Sequence, residues 1–476
     1  MDYFKPVDVY PIVNSLVRQI TGQTNLTVVD TASYIDAGKK IISVGDTTSY
    51  DSIFGALSII IGRTIIDVDE YDEKFKLINN TSSEYDVKVR KISFYAKDTQ
   101  ASGMFNTQLY TNLGAGLDDE SGTGSQWEQS PKIPLERVYS SEATYDYEYT
   151  EYIRQLKEAF TSEASFLDYI NGMRVDIMND MKSQTEARNQ GLILSRLAGN
   201  KLMVDRGLLG AECSKNLTKL YNTEYGTSYT TSDLLHDHRV SFLEFFLATL
   251  KNDTELMTYR SKLFHDPCTQ TIDGVEYNIL RASKKNRQRF IYNSRLFTEI
   301  KLSLAEIFHP EKLLLPENGE GVQFWQSIDK PYSIDIKPPL PDNGVTSEVK
   351  IDTVVGMVFD DRALYSNNRY TGMLATPINA RHGYRNEFYH FLFSQNNDYT
   401  HGSILYYMSD SETAYFVGDG VEDDFALNAT TLVSVTVNGV EQTIGTDVSL
   451  TTVGDDTFVT FTTAPSDGAI IQVEYK

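Results

Sequence analysis

Cysteine is nearly missing from this chain: Cys213 and Cys268 are the only two in 476 residues. With no Cys-x-x-Cys pair, a cysteine zinc cluster and a disulfide framework are excluded, and a reducing cytosol is the expected compartment. Positive charge is short as well. Forty-three Lys and Arg stand against 66 Asp and Glu, a net charge of −23. That excludes a general nucleic-acid binder, which needs a basic footprint, and suits a protein kept soluble at high concentration. Long apolar runs are lacking: the most apolar window, residues 57–61, ends at Gly62-Arg63, far short of a bilayer span. The start, Met1-Asp2-Tyr3-Phe4-Lys5-Pro6, has no basic stretch followed by an apolar one, so no signal peptide is expected. No phosphate loop, GxSxG, HExxH or dinucleotide fingerprint occurs. No catalytic residue, cofactor or metal ligand is therefore assigned.

What the chain has is length, enough for two to four domains and a large core. Hydrophobic residues make up 41% and charged residues 23%, ordinary values for a globular protein. Tyrosine is the unusual residue, with 30 against 23 phenylalanines. Its apolar ring and polar tip suit both strands and surfaces that are buried against a partner but wet at the edge.

Taken in order, residues 1–62 read as an extended arm with one short helix. Val9, Ile12, Val13, Leu16 and Ile20 share a helical face, and Thr21-Gly22 ends it. The runs Leu26-Thr27-Val28-Val29 and Lys40-Ile41-Ile42-Ser43-Val44 follow between polar turns, and nothing there builds a core alone. Residues 63–150 read as a long β-hairpin. Tyr85, Val87, Val89, Ile92 and Phe94 alternate on the way out, and Tyr145, Tyr147 and Tyr149 on the way back. Between them lies a tip with Gly114, Gly116, Gly122 and Gly124 and the acidic run Asp118-Asp119-Glu120. A long helix then starts after Ser162 and carries Phe166, Ile170, Met173, Ile177 and Met181 at helical spacing, with Gly199-Asn200 as its stop. Asn171-Gly172 interrupts a clean heptad and disfavours a coiled coil.

Residues 201–350 read as an α+β region, with helices near residues 240–257 and 303–308 and strands near 277–280 and 290–293. Residues 330–342, with four prolines, form an extended connection. The stretch 351–408 organises the rest. Val354-Val355-Gly356-Met357-Val358-Phe359 is a short run expected to be a strand buried on both faces. With residues 384–393 and 404–408 it would make the three-stranded floor of one sheet. From Ser411 the regime changes to short strands near 414–417, 432–437, 448–452, 457–462 and 470–475. Asn438-Gly439 marks a tight hairpin. A separate β-sandwich over 411–476 is expected.

Four groups of residues invite chemistry. His236-Asp237-His238, with Asp205, His265 or Asp266, could hold a metal, but a defined third ligand is missing and a helix start explains the run. Arg281, Lys284, Lys285, Arg287 and Arg289 form a basic cluster that could touch DNA, or lie on a solvated or salt-bridged face. Asp118-Asp119-Glu120 and Glu422-Asp423-Asp424 lack the spacing of a calcium loop and read as solvated turns.

The segments "VVGMVFDDRAL" and "TPINARHGYRNEFYHFLF", preceded by an arm, a glycine-tipped hairpin and a spine-length helix, resemble the tailed-bacteriophage major capsid proteins, those of small short-tailed phages above all. The resemblance covers residues 1–410. It implies an α+β fold of the Hong Kong 97 type. Its parts would be an N-terminal arm (1–62), an extended loop (63–150), a peripheral domain (151–200 and 351–410) and an axial domain (201–350), with the small all-β domain 411–476 appended. It implies a structural, non-enzymatic role: copies of the chain forming hexamers and pentamers of an icosahedral head around double-stranded DNA. The partners implied are a scaffolding protein and a portal ring, with assembly in the host cytoplasm and no membrane. The C-terminal domain would serve decoration or host-surface contact. A carbohydrate-binding phage adhesin acting through residues 411–476 is the alternative. Some members of the family join a lysine of the extended loop to a neighbour's asparagine. Residues 98–131 contain no lysine, so no covalent ladder is expected on a boiled, reduced denaturing gel; multimers surviving there would refute this.

Overall fold

The computed structural model describes residues 6–21, 28–29, 31–47, 74–79, 89–96, 133–139, 143–160, 163–272, 275–296, 319–340, 347–427, 429–453 and 456–476. The glycine-rich tip, Tyr85 and Val87, the expected helix at 303–308 and the side chains of Phe166, Ile170, Met173 and Ile177 lie outside the described residues.

In chain order the helices are α1 (Pro6–Thr21), α2 (Thr31–Thr47), α3 (Ile153–Ala159), α4 (Glu163–Asp205), α5 (Leu217–Tyr225), α6 (Thr231–His236) and α7 (Arg239–Leu256). The strands begin with β1 (Val89–Phe94), β2 (Pro134–Tyr139), β3 (Ala143–Tyr152), β4 (Ser214–Asn216), β5 (Gln270–Ile272), β6 (Val275–Tyr277) and β7 (Gln288–Asn293). They continue with β8 (Gly319–Val322), β9 (Ile334–Ile336), β10 (Val349–Ile351), β11 (Thr353–Asp360), β12 (Leu364–Ala375), β13 (Tyr384–Asn397) and β14 (Ser403–Met408). The last seven are β15 (Glu412–Val417), β16 (Asp424–Ala426), β17 (Leu432–Val437), β18 (Val440–Glu441), β19 (Val448–Val453), β20 (Asp456–Phe461) and β21 (Ile470–Tyr475). No helix among the described residues is long and apolar enough to cross a membrane.

The chain forms two compact units. The first comprises Met1–Val87, Ser141–Gly191 and Ser366–Gln395. Here the structure corrects the reading of an arm with one short helix. Tyr34, Ala37 and Ile41 recur at three- and four-residue steps, so residues 31–47 form a helix rather than a run between turns. Its stripe packs with Val13, Leu16 and Val17 of α1 and with Leu156, Ala159 and Phe160 around α3. Each fully buried side chain of that size contributes about 1.5–3 kcal/mol, which three short helices need. The same unit holds the sheet β12-β13-β3. Tyr145, Tyr147 and Tyr149 lie opposite Phe391, Tyr389 and Glu387, with the Tyr147 and Phe391 rings edge to face at 5.4 Å. Met181 of α4 packs on that cluster, and the Arg188 guanidinium lies 3.3 Å over the Tyr145 ring.

The second unit comprises Lys88–Ser140, Leu192–Tyr365 and Asn396–Lys476. Its main sheet has the order β4-β14-β11-β7-β8, so the expectation of a single floor from 351–408 is also corrected. β11 and β14 belong to this sheet, whereas β13 pairs with β3. Residue chemistry explains the division: β11 and β14 are buried almost throughout, while β13 alternates, as a strand with one polar face does. The sheet is covered by α5, α6 and α7 through Leu217, Leu234, Phe242, Phe246 and Leu250.

The long helix is longer than expected, 43 residues or about 65 Å. Gly199 does not stop it. A Cβ there would lie 1.9 Å from the Tyr399 hydroxyl, so this glycine admits a ring against the helix. The stop is Gly207, at φ 70°. Its N–H donates to Val204 O and that of Leu208 to Met203 O, the Schellman pattern.

Residues 411–476 fold as a sandwich of a four-stranded sheet, β15-β21-β17-β18, and a three-stranded sheet, β16-β20-β19. Phe425, Val435, Val459, Phe461, Ile471 and Val473 form its core. Asn438 and Gly439 both have positive φ, as a type I′ hairpin requires. Two strands escaped the sequence reading: β16, inside an acidic stretch, and the two-residue β18. The sandwich also docks on the rest of its unit. Thr231 donates through N and Oγ1 to Asp410 (2.6 and 2.8 Å), Lys219 pairs with Glu412, and the Arg206 guanidinium lies 5.1 Å from the Tyr415 ring.

Candidate functional site

β1 and β2 form an antiparallel ribbon with Arg90 opposite Val138, Ile92 opposite Glu136 and Phe94 opposite Pro134. Alternation gives it two faces of different chemistry. One face carries Ile92, Phe94 and Val138, which are 51%, 54% and 55% exposed, beside an exposed Arg90–Glu136 ion pair at 2.5 Å. The other carries Lys91, Ser93, Arg137 and Tyr139 and lies on a cluster of charged groups.

Asp398 is the centre of that cluster and is buried. Lys91 Nζ reaches its Oδ2 at 2.8 Å and also donates to Arg362 O at 2.7 Å. Thr400 donates to Asp398 Oδ1 through N and Oγ1, and His401 Nε2 lies 3.7 Å from Oδ2. Arg281 donates to Ser93 Oγ and Thr400 O. Next to it, Asp360 receives a two-toothed contact from Arg362 Nε and NH2 (2.7 and 2.9 Å) and a bond from Ser283 Oγ.

Burial opposes ionisation of both carboxyls, yet Lys91 and His401 around Asp398, and Arg362 and Ser283 around Asp360, hold them well below the usual carboxylate range. Burial, reinforced by Arg281, pushes His401 down to about 3, so it is neutral at ordinary pH. Burial and then Asp398 push the Tyr139 hydroxyl far up. Arg137 joins the ribbon to Cys268 Sγ (3.2 Å) and Asp266 (3.7 Å).

Alongside lies Arg196, fully buried. It donates to Ser403 Oγ, Asn397 Oδ1 and His401 O, with its guanidinium 4.2 Å from the Tyr399 ring. Burial lowers its pKa while Tyr399 and Asp398 work against that. The sequence signals for this cluster are Asp360-Asp361-Arg362 within "VVGMVFDDRAL" and Arg281 of the basic stretch. Lys91, Arg196, Arg281 and Asp398 are far apart in sequence.

The first unit has its own buried charged group: Arg385 between Glu151 (3.4 Å) and Glu387. Burial first and Glu387 second raise the Glu151 carboxyl to about 9, so it is protonated when folded at neutral pH. In the unfolded chain it ionises near pH 4.5. Stability from this group is therefore complete below that value and is lost as pH rises towards 9, at most about 1.4 kcal/mol per pH unit. Glu151→Gln is expected to raise the melting temperature at pH 8 and to leave it unchanged near pH 4. A variant no more stable than wild type at pH 8 would contradict this.

The other sequence candidates are dispersed. His236 is exposed at the end of α6, His238 stacks on Tyr229 at 4.0 Å, Asp205 pairs with Lys201, and His265 bonds Ile279 O. Among the described residues no group of three His, Cys, Asp or Glu is arranged for a metal. The basic cluster is split: Arg281 turns inward, Lys285 pairs with Glu255 and Arg287 with Asp361, while Lys284 stays exposed. Glu422 and Asp423 are exposed at a turn, and Asp424 begins β16.

The charge-anchored ribbon thus keeps its apolar face, Ile92, Phe94 and Val138, exposed. The chain belongs to the Phi29-like phage major capsid protein family, whose sequence model matches residues 13–392. It is a phage head shell protein with the mixed helix-and-sheet fold described above, and the adhesin alternative finds no support. No curated protein sequence matches it.

Solved structures similar to this chain include the capsid of Staphylococcus phage Andhra, at 10% identity and TM-score 0.44, over 72% of this chain and 86% of that one. Another is the head fiber and inner core protein structure of native bacteriophage P68, at 10% and 0.42, over 72% and 87%. A third is the head of Helicobacter pylori bacteriophage KHP40, at 12% and 0.35, over 72% and 93%. Likeness at this level adds nothing to the assignment, which rests on the family match.

Proposed function

We propose that this chain builds hexamers and pentamers of an icosahedral head around double-stranded DNA, with a scaffolding protein and a portal ring as partners and assembly in the host cytoplasm. Residues 1–62 act as arm, 63–150 as extended loop, 151–200 with 351–410 as peripheral domain and 201–350 as axial domain. The observation that carries the reading is the ribbon: Ile92, Phe94 and Val138 are half exposed on one face, and a patch of that kind marks a surface meant for a partner. Each copy covers such a patch only through another, the logic of a closed symmetric assembly. Electron microscopy and light scattering of the purified chain test this. Shells or rings are expected, and a folded monomer at every concentration and salt would overturn it.

Residues 411–476 act as an outward decoration domain. They carry 11 acidic residues against Lys476 alone, a net charge of −10. Facing inward that charge would repel packaged DNA; facing outward it keeps particles apart. The docking contacts at Glu412 and Tyr415 favour a fixed perch over a free tether. A chain ending at Asp410 keeps its bond to Thr231 and is expected to assemble still. If it folds but forms no shells, the domain belongs to the lattice itself.

A further inference from the structure

The ribbon of β1 and β2 has a choice of face. A one-residue slip, or a roll about its axis, would lay Ile92, Phe94 and Val138 on the chain's own body and turn Lys91, Arg137 and Tyr139 to water. Burial of three large apolar side chains favours that inverted arrangement. The structure shows the reverse, with the apolar face exposed and the charged face covered.

What opposes inversion is Asp398, 1% exposed. Its carboxylate engages one strand through Lys91 at 2.8 Å and lies beside Tyr139 of the other. Arg281 holds the same strand through Ser93 Oγ at 2.6 Å. Arg362 and Asp360 are committed to each other, His401 is neutral, and Arg281, the remaining cation nearby, spends its bonds on Ser93 and Thr400 rather than on the carboxylate. Inverting the ribbon would leave this carboxylate with its Thr400 bonds but without its Lys91 ion pair, and a buried charge deprived of its counter-ion is unfavourable.

We propose that Asp398 and Lys91 form a positioning pair that selects the outward face of the ribbon and keeps Ile92, Phe94 and Val138 available to a neighbouring copy. This rests on the reading that the ribbon meets a neighbour in the shell. The pair adds little net stability; its effect is to make the self-satisfied ribbon the unfavourable one.

The test uses the full chain. Lys91→Met combined with Asp398→Leu removes both charges of the pair together, while Arg281 keeps its bonds to Ser93 and Thr400. It is expected to melt within about 2 °C of wild type, while the assembled fraction in light scattering falls at least about tenfold. Hydrogen exchange at residues 89–94 and 134–139 is expected to change with it. Lys91→Arg keeps the charge and is expected to assemble normally. A double variant that assembles like wild type overturns the proposal. So does one that fails to fold, because the pair is then structural only. Absence of assembly by the wild type under the same conditions would instead sink the shell reading.

Discussion

Gly356→Ala is expected to destabilise the folded body of the second unit strongly. Gly356 sits in the middle of β11, next to a register shift against β14, where a bulge brings the strand in close. A Cβ at this position would lie 2.7 Å from Ile291 O, 3.0 Å from the Phe290 ring and 3.2 Å from Tyr292 Cα. Two of those three atoms are backbone of the neighbouring strand, so no side-chain rotation relieves the overlap. β11 must move away from β7, and the ladder from Gly356 to Asp360 is weakened along with the packing of Val358 and Phe359. Overpacking of a tight core costs about 1–3 kcal/mol, and the ladder adds to it, so a loss of about 3 kcal/mol or more is expected. Denaturant midpoints measure it. Gly191→Ala is the control: nothing lies within 4 Å of its Cβ, and an alanine in a helix gains about 0.5–1 kcal/mol over glycine. Equal midpoints for Gly356→Ala and wild type would mean that β11 and β7 are not packed as described.

Arg196→Ala carries the second large effect. The residue is fully buried, and its guanidinium satisfies Ser403 Oγ, Asn397 Oδ1 and His401 O at once. Removing one partner of a buried charged network costs about 3–5 kcal/mol, because the remaining polar groups stay buried without bonds. Arg196→Lys is not expected to rescue: an ammonium on a flexible stem lacks the fork that reaches three acceptors in fixed directions. Asn200 Nδ2 also donates to Ser403 Oγ, at 2.7 Å, so loss of Arg196 weakens the seat of the last turns of α4 on β14. Thermal unfolding of the two variants decides the matter, and a lysine variant as stable as wild type would argue against the fork.

Local chemistry made much of this fold legible in advance. The strands of the C-terminal sandwich at Leu432–Val437 and Ile470–Tyr475 were read residue for residue, since alternation and Asn438-Gly439 act within a few positions of each other. The buried strand at Val354 was visible because an apolar run that short has few other uses. The stop of the long helix was misread: Gly199-Asn200 looks like a terminus to any local rule, yet the glycine gives room to Tyr399 and the asparagine bonds Ser403, two residues two hundred positions away. The second helix at Thr31–Thr47 is hidden in the sequence because Lys40-Ile41-Ile42-Ser43-Val44 reads as a short apolar run between polar turns.

The sequence by itself determined the class of the protein: its acidity, the missing catalytic and membrane motifs and the spine-length helix. Those properties are sums or periodicities along the chain. Tertiary structure alone decided where the charges go. Lys91, Arg196, Arg281, Asp360 and Asp398 come from five separate segments and share one buried site, and only there do desolvation and pairing give them their effect. The same packing decided which face of the ribbon looks outward, because alternation shows that a strand has two faces but not which of them the body will cover.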